Sequence, residues 1–218
     1  MVSPILANVY LHYSLDQWFE KVVKPRCGGQ CLLIRYADDY VCAFQYRREA
    51  ERFYRMMPRR LEKFGLTVAP EKTRTLRFSR FHPGLRRRFA FLGFELYWAR
   101  DRRGDLRVMK RTARGKLQQA KRRMKTWIKQ NRHLPGRQFI KELNRKLVGH
   151  YNYFGLRSNE KALHSFYGHT IGCAFKWLNR RGGKRSSFNW SQFKAALKKL
   201  EVALPRIVEK QRRHGVFA

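Results

Sequence analysis

Two adjacent carboxylates, Asp38 and Asp39, lie between short apolar runs, Cys31-Leu32-Leu33-Ile34 before them and Tyr40-Val41-Cys42-Ala43-Phe44 after them. Both runs have strand-like residue types, so the spacing predicts a β-hairpin with Tyr36-Ala37-Asp38-Asp39 at its turn. Neighbouring like charges repel, and burying them requires a compensating cation or donor. In a chain with 15 Asp+Glu, Mg²⁺ is the natural compensator, because this hard ion prefers carboxylate oxygen. An exposed turn, where aspartate is common, is the competing reading.

The charge balance points to a second kind of chemistry. The 218 residues carry 50 Lys+Arg, giving a net charge of +35. A polyanion is the most economical partner for such a bias, and nucleic acid is preferred over a membrane because no long apolar run or signal peptide is present. The charge is uneven: residues 1–70 hold 11 basic and 7 acidic residues, and residues 71–218 hold 39 and 8. The first part reads as a site that holds cations, the second as a surface that holds phosphates. Cys27, Cys31, Cys42 and Cys173 form no disulfide framework, and no second ligand pair follows Cys27 and Cys31 at a zinc-like distance. They read as thiols in a reducing cytoplasm.

The elements that must position these groups follow from periodicity. Ser3-Pro4 opens a helix to about Val23. Its apolar residues, from Ile5 and Leu6 to Leu15 and Trp18, nearly encircle it and predict burial between layers. From Arg47 to Phe64, apolar residues including Phe53, Met57 and Leu61 recur at helical spacing, with Pro58 expected to kink the helix and Gly65 to stop it. Leu66-Thr67-Val68 reads as a short strand, residues 70–73 as a turn and residues 79–88 as a basic loop. Phe89 to Trp98 reads as a strand pair around Gly93, followed by a turn at 101–105 and a returning strand from Leu106 to Met109. Four amphipathic helices should follow, with stripes beginning at Ala113, Phe139, Leu163 and Trp190 and basic faces outward.

Three blocks in order, Tyr36-Ala37-Asp38-Asp39, Gly65 to Thr73 and Phe91-Leu92-Gly93-Phe94, resemble the palm of a group II intron-encoded reverse transcriptase/maturase. Leu147-Val148-Gly149-His150-Tyr151-Asn152-Tyr153-Phe154 resembles the G-[W/H]-x-x-Y-[F/Y] element of that family's maturase, or thumb, domain. The resemblance implies an α+β fold: residues 1–110 as part of a palm, a small antiparallel sheet with packed helices, and residues 111–218 as an all-helical thumb. It implies RNA-directed DNA polymerase chemistry, in which two divalent ions serve nucleotidyl transfer and are held by carboxylates from at least two segments. Asp38 would be the direct Mg²⁺ ligand and Asp39 the peripheral one, with Tyr36 and Ala37 bordering the primer terminus and incoming nucleotide. Lys72 matches a lysine able to protonate departing pyrophosphate, unless it is a solvated cation. Phe91, Leu92 and Gly93 match the primer grip, where glycine lets the backbone approach the primer. Asp16, on the first helix, matches a structural aspartate.

The RNA-facing candidates are His150, Tyr151 and Tyr153, because aromatics stack on unpaired bases; core packing is the alternative. Arg86-Arg87-Arg88, Arg102-Arg103, Lys121-Arg122-Arg123, Arg180-Arg181 and Arg212-Arg213 are phosphate-contact candidates. Binding of intron RNA and of an RNA/DNA hybrid should then depend steeply on salt. None of Asp16, Asp101 and Asp105 matches the family's other catalytic aspartate, which precedes the Ser3-Pro4 helix, and the fingers are also unmatched. The expectation is a truncated polymerase, inactive alone. The alternatives are a non-catalytic RNA-binding maturase fragment and one half of a split enzyme completed by a fingers/palm chain.

Overall fold

The computed structural model describes residues 3–83, 87–101, 103–180 and 187–209. They form a mixed α+β fold with small antiparallel sheets. The chain divides into two compact units, residues 1–92 and 93–218.

In the first unit, helix α1 (Ser3–Leu11) continues through wider π-helical turns at His12–Asp16 and Phe19–Val23 into a 3₁₀ turn at Lys24–Arg26. Leu15, Trp18 and Phe19 are buried, but Ile5, Leu6, Val9, Tyr10 and Tyr13 are exposed, Ile5 by 66%. The expected burial between layers therefore holds only for the second half of this helical run. Among the described residues, that half packs against apolar side chains of residues 31–44 and 53–61 and against Leu66 and Val68. The hairpin joins β1 (Cys31–Tyr36) to β2 (Asp39–Phe44) in antiparallel register from Cys31↔Phe44 to Tyr36↔Asp39. Helix α2 (Arg47–Glu62) contains Pro58 and buries Phe53, Met57 and Leu61. These join Leu15, Trp18 and Phe19 in one core, each large side chain contributing roughly 1.5–3 kcal/mol by leaving water.

The helix stops where Gly65 takes φ +66° and the Leu66 N–H returns to Leu61 O at 3.1 Å, as in a Schellman ending. The expected strand at Leu66–Val68 does not form, because no ladder partner lies beside it among the described residues; Leu66 and Val68 pack on the core as irregular chain. The expected turn at residues 70–73 is present, with Lys72 N and Thr73 N both donating to Ala69 O at 3.1 Å. Strand β3 (Phe89–Phe91) closes this unit, Phe89 meeting Phe78 edge to face.

In the second unit, β4 (Phe94–Arg100) pairs antiparallel with β5 (Leu106–Thr112) across a turn at 101–105. Asp101 ties that turn, accepting from the backbone N–H groups of Arg103 and Asp105. Among the described residues four helices follow, α3 (Arg114–Asn131), α4 (Gly136–Phe154), α5 (Glu160–Leu178) and α6 (Trp190–Lys199). Their stripes meet in a core that includes Ile128, Phe139, Leu143, Leu147, Tyr151, Leu163 and Phe166. Asn189 and Gln192 form a capping box at the start of α6.

The change of period expected near residue 110 falls at Ala113, inside this unit. Buried Asn159 explains the grouping. Its amide donates to Thr112 Oγ1 at 2.8 Å, and its oxygen accepts from Thr112 N at 2.7 Å. This latches the β4–β5 hairpin to the junction of α4 and α5. Among the described residues no helix is long and apolar enough to cross a membrane.

Candidate functional site

Asp38 and Asp39 stand at the tip of the β1–β2 hairpin, both exposed, with Tyr36 paired to Asp39 and 66% exposed. The turn is two residues long. Ala37 takes φ +53°, the left-handed setting that short hairpin turns need and that alanine adopts only at a cost. The strain is held by Arg35. Its Nη1 donates to Ala37 O and to Asn8 Oδ1, each at 2.9 Å, while Nε and Nη2 donate to the two carboxylate oxygens of Asp16 at 2.8 and 2.7 Å.

This clamp was not visible in the sequence, since Asp16 and Arg35 lie on separate elements with no periodic relation. Both side chains are largely buried, Arg35 being 13% and Asp16 23% exposed. Burial alone would push the Asp16 carboxyl up, but the Arg35 hydrogen bond and charge, helped by His12, hold it below its ordinary value. Asp16 is thus committed to an arginine, in a structural setting, and is not turned toward Asp38. Behind the hairpin, the Tyr40 hydroxyl donates to Met57 Sδ at 3.0 Å, and burial pushes its pKa up to about 12.

Lys72 is exposed on its turn, and no hydrogen bond or ion pair joins it to Asp38 or Asp39 among the described residues. Leu92 and Gly93 take φ +50° and +77° in succession, both in the left-handed region. The backbone conformation, not close packing, explains the glycine: a Cβ on Gly93 would meet Phe154 at an ordinary 3.7 Å. Within the second unit, Gly93 O accepts from Ala113 N at 2.9 Å, and Phe94 packs on Tyr153 and Phe154 of α4.

Of the three RNA-facing aromatic candidates, Tyr151 lies in the core, His150 is half-buried and Tyr153 is exposed. Tyr151 is 0% exposed and donates to Ala203 O at 3.3 Å. His150 stacks on Phe166 with ring centres 3.8 Å apart, and burial lowers its pKa to about 4. Tyr151 belongs to the helical core, and His150 lies half-buried against it through Phe166. The four-residue recurrence of Leu143, Leu147 and Tyr151 was the signal for this. Tyr153 is 54% exposed and stacked on Phe94, so it remains a surface candidate.

Among the basic candidates, Arg87 donates to His82 O at 2.9 Å and Arg88 O accepts from Arg74 at 2.9 Å. Lys121 is tied to Ser165 Oγ at 2.8 Å, whereas Arg122 and Arg123 are exposed. Arg180 lies over the Trp177 ring. Arg86, Arg102, Arg181 and Arg212-Arg213 lie outside the described residues. The carboxylates that pair in the second unit bind Arg107, Lys110, Arg111 and Arg145. The basic residues of α3 therefore keep their charge uncompensated by carboxylates among the described residues.

The donor set offers two neighbouring, solvated carboxylates, suited to one Mg²⁺ that keeps much of its water. Among the described residues no three His, Cys, Asp or Glu side chains gather into a metal-holding group. Among the described residues, the carboxylates at this turn come from one chain segment, Asp38 and Asp39.

Comparison with known proteins gives two matches. The family described as reverse transcriptase (RNA-dependent DNA polymerase) matches residues 1–96, and the group II intron maturase-specific domain matches residues 117–197. No curated protein matches the chain.

Proposed function

We propose that this chain, which belongs to the group II intron-encoded reverse transcriptase/maturases, binds intron RNA through its helical unit and carries one metal-binding segment of a nucleotidyl-transfer site. In this reading residues 1–110 are palm and residues 111–218 thumb. The observation that carries it is the outward-facing Asp38–Asp39 pair on a clamped, strained turn, in a chain with 50 basic and 15 acidic residues.

Asp38 and Asp39 would hold Mg²⁺, which supplies charge neutralisation for phosphoryl oxygens when bound. The Arg35–Asp16 pair would orient the turn. Leu92 and Gly93 would face the primer strand of an RNA/DNA hybrid, and Lys72 would serve as a proton donor or phosphate contact. Tyr153, Arg87, Arg88, Arg122 and Arg123 would meet RNA.

The single carboxylate segment favours a second reading, a non-catalytic RNA-binding maturase, or an enzyme whose remaining carboxylate comes from another chain. Primer extension on an annealed RNA template with Mg²⁺ and deoxynucleotides separates them, using the unaltered chain and an Asp38→Ala, Asp39→Ala variant. Extension lost in the variant supports catalysis by this turn. Extension equal in both proteins removes these residues from the chemistry. RNA binding without extension leaves the binding reading.

A further inference from the structure

One part of the helical unit gathers cations around a single aromatic ring. Lys129 Nζ lies 5.6 Å from the centre of the Trp177 ring, Arg132 Cζ 5.5 Å and Arg180 Cζ 5.6 Å. No two of these charges can be further apart than about twice that distance. Lys129 and Arg132 stand at the end of α3, and Arg180 stands just past the end of α5. The carboxylates that pair in this unit are bound to Arg107, Lys110, Arg111 and Arg145 instead.

Helix-end carbonyls and the indole face offset part of the mutual repulsion. They leave three side-chain cations with no carboxylate partner among the described residues. Asn179, two residues past Trp177, exchanges two hydrogen bonds with the Phe188 backbone, at 2.9 and 3.0 Å, which ties down the chain at the end of α5. A cluster built of donors and cations, held in place by a ring, matches an acceptor-rich anion.

We propose that Lys129, Arg132 and Arg180, arrayed on Trp177, form a binding site for consecutive phosphodiester groups of an RNA backbone. This rests on the RNA-binding reading above and names where in the helical unit a phosphate strand is held. Trp177 acts as the platform that keeps the three cations together. The cations contact phosphate and carry no base specificity.

The test compares three proteins by RNA affinity between 50 and 200 mM salt: the unaltered chain, a site variant (Lys129→Gln, Arg132→Gln, Arg180→Gln) and a control variant of equal charge (Lys141→Gln, Lys198→Gln, Lys199→Gln). Circular dichroism establishes that each is folded. Each lost phosphate contact removes about 0.9 from the slope of log affinity against log salt for a duplex, and about 0.7 for a single strand. Losing three contacts on a duplex should thus shrink the salt-induced fall in affinity by about 40-fold over this fourfold salt range. The control should change the slope much less.

Equal slopes for site and control variants overturn the site while leaving RNA binding intact. Absence of RNA binding by the unaltered chain overturns the reading beneath it. Calorimetry with inorganic tripolyphosphate distinguishes a free polyphosphate ligand. Tight binding that the site variant loses, with RNA affinity unchanged, would also overturn the RNA assignment.

Discussion

Removing Arg35 should loosen the carboxylate turn before it disturbs anything else. Its guanidinium makes two charge-assisted hydrogen bonds to Asp16 and two more to Ala37 O and Asn8. With Asp16 only 23% exposed, Arg35→Ala leaves a carboxylate largely buried without its cation and frees the strained Ala37. Breaking such a pair costs about 3 kcal/mol, the lower end for fully buried pairs. Arg35→Lys keeps the charge but cannot fork between Asp16 and Ala37, and should cost about half as much. Trp18 is the first unit's single tryptophan, so fluorine NMR of 5-fluorotryptophan protein, assigned with Trp18→Phe, follows this unit alone during urea unfolding. With a slope of about 1.5 kcal/mol per molar, Arg35→Ala should lower the midpoint by about 2 M. A shift under about 0.5 M, or an equal cost for Lys and Ala, would refute the clamp.

Two backbone substitutions should move stability in opposite directions. Ala37→Gly relieves a left-handed alanine and should stabilise the first unit by about 0.5–1 kcal/mol, whereas Gly93→Ala should destabilise by 1 kcal/mol or roughly more; urea midpoints measure both. His150 has its pKa lowered to about 4 by burial, from an ordinary 6.5, so the unfolded chain binds its proton first. Its contribution to stability is complete above pH 6.5 and declines progressively toward pH 4. His150→Phe should flatten that decline, and the imidazole carbon resonances of the native protein should titrate well below pH 6.

Several features were legible because local patterns determine them. The turn residues between two apolar runs gave the β1–β2 hairpin, and the Phe53, Met57, Leu61 stripe gave α2 its buried face. The four stripes beyond Ala113 correspond to four helices. Features set by distant partners were not legible. Whether the apolar ring of α1 is covered depends on what packs against it, which its own sequence does not encode. Leu66–Val68 has strand-forming residues but, among the described residues, no neighbouring strand to complete a ladder. The Arg35–Asp16 clamp and the cations around Trp177 join separate elements, and charge counts do not say which cations are paired. Tyr151 is different, since the stripe through Leu143 and Leu147 already placed it on the buried face, against its motif-based reading as an RNA contact.

The most direct measurement is the affinity of the unaltered chain for structured RNA across a salt series, repeated with Asp38→Ala, Asp39→Ala. The account predicts a slope of log affinity against log salt of about −5 or steeper, equivalent to roughly six or more neutralised phosphates, and nearly equal in both proteins. A slope shallower than about −2, or no binding at low salt, would contradict the claim that the positive charge of this chain is a surface for RNA.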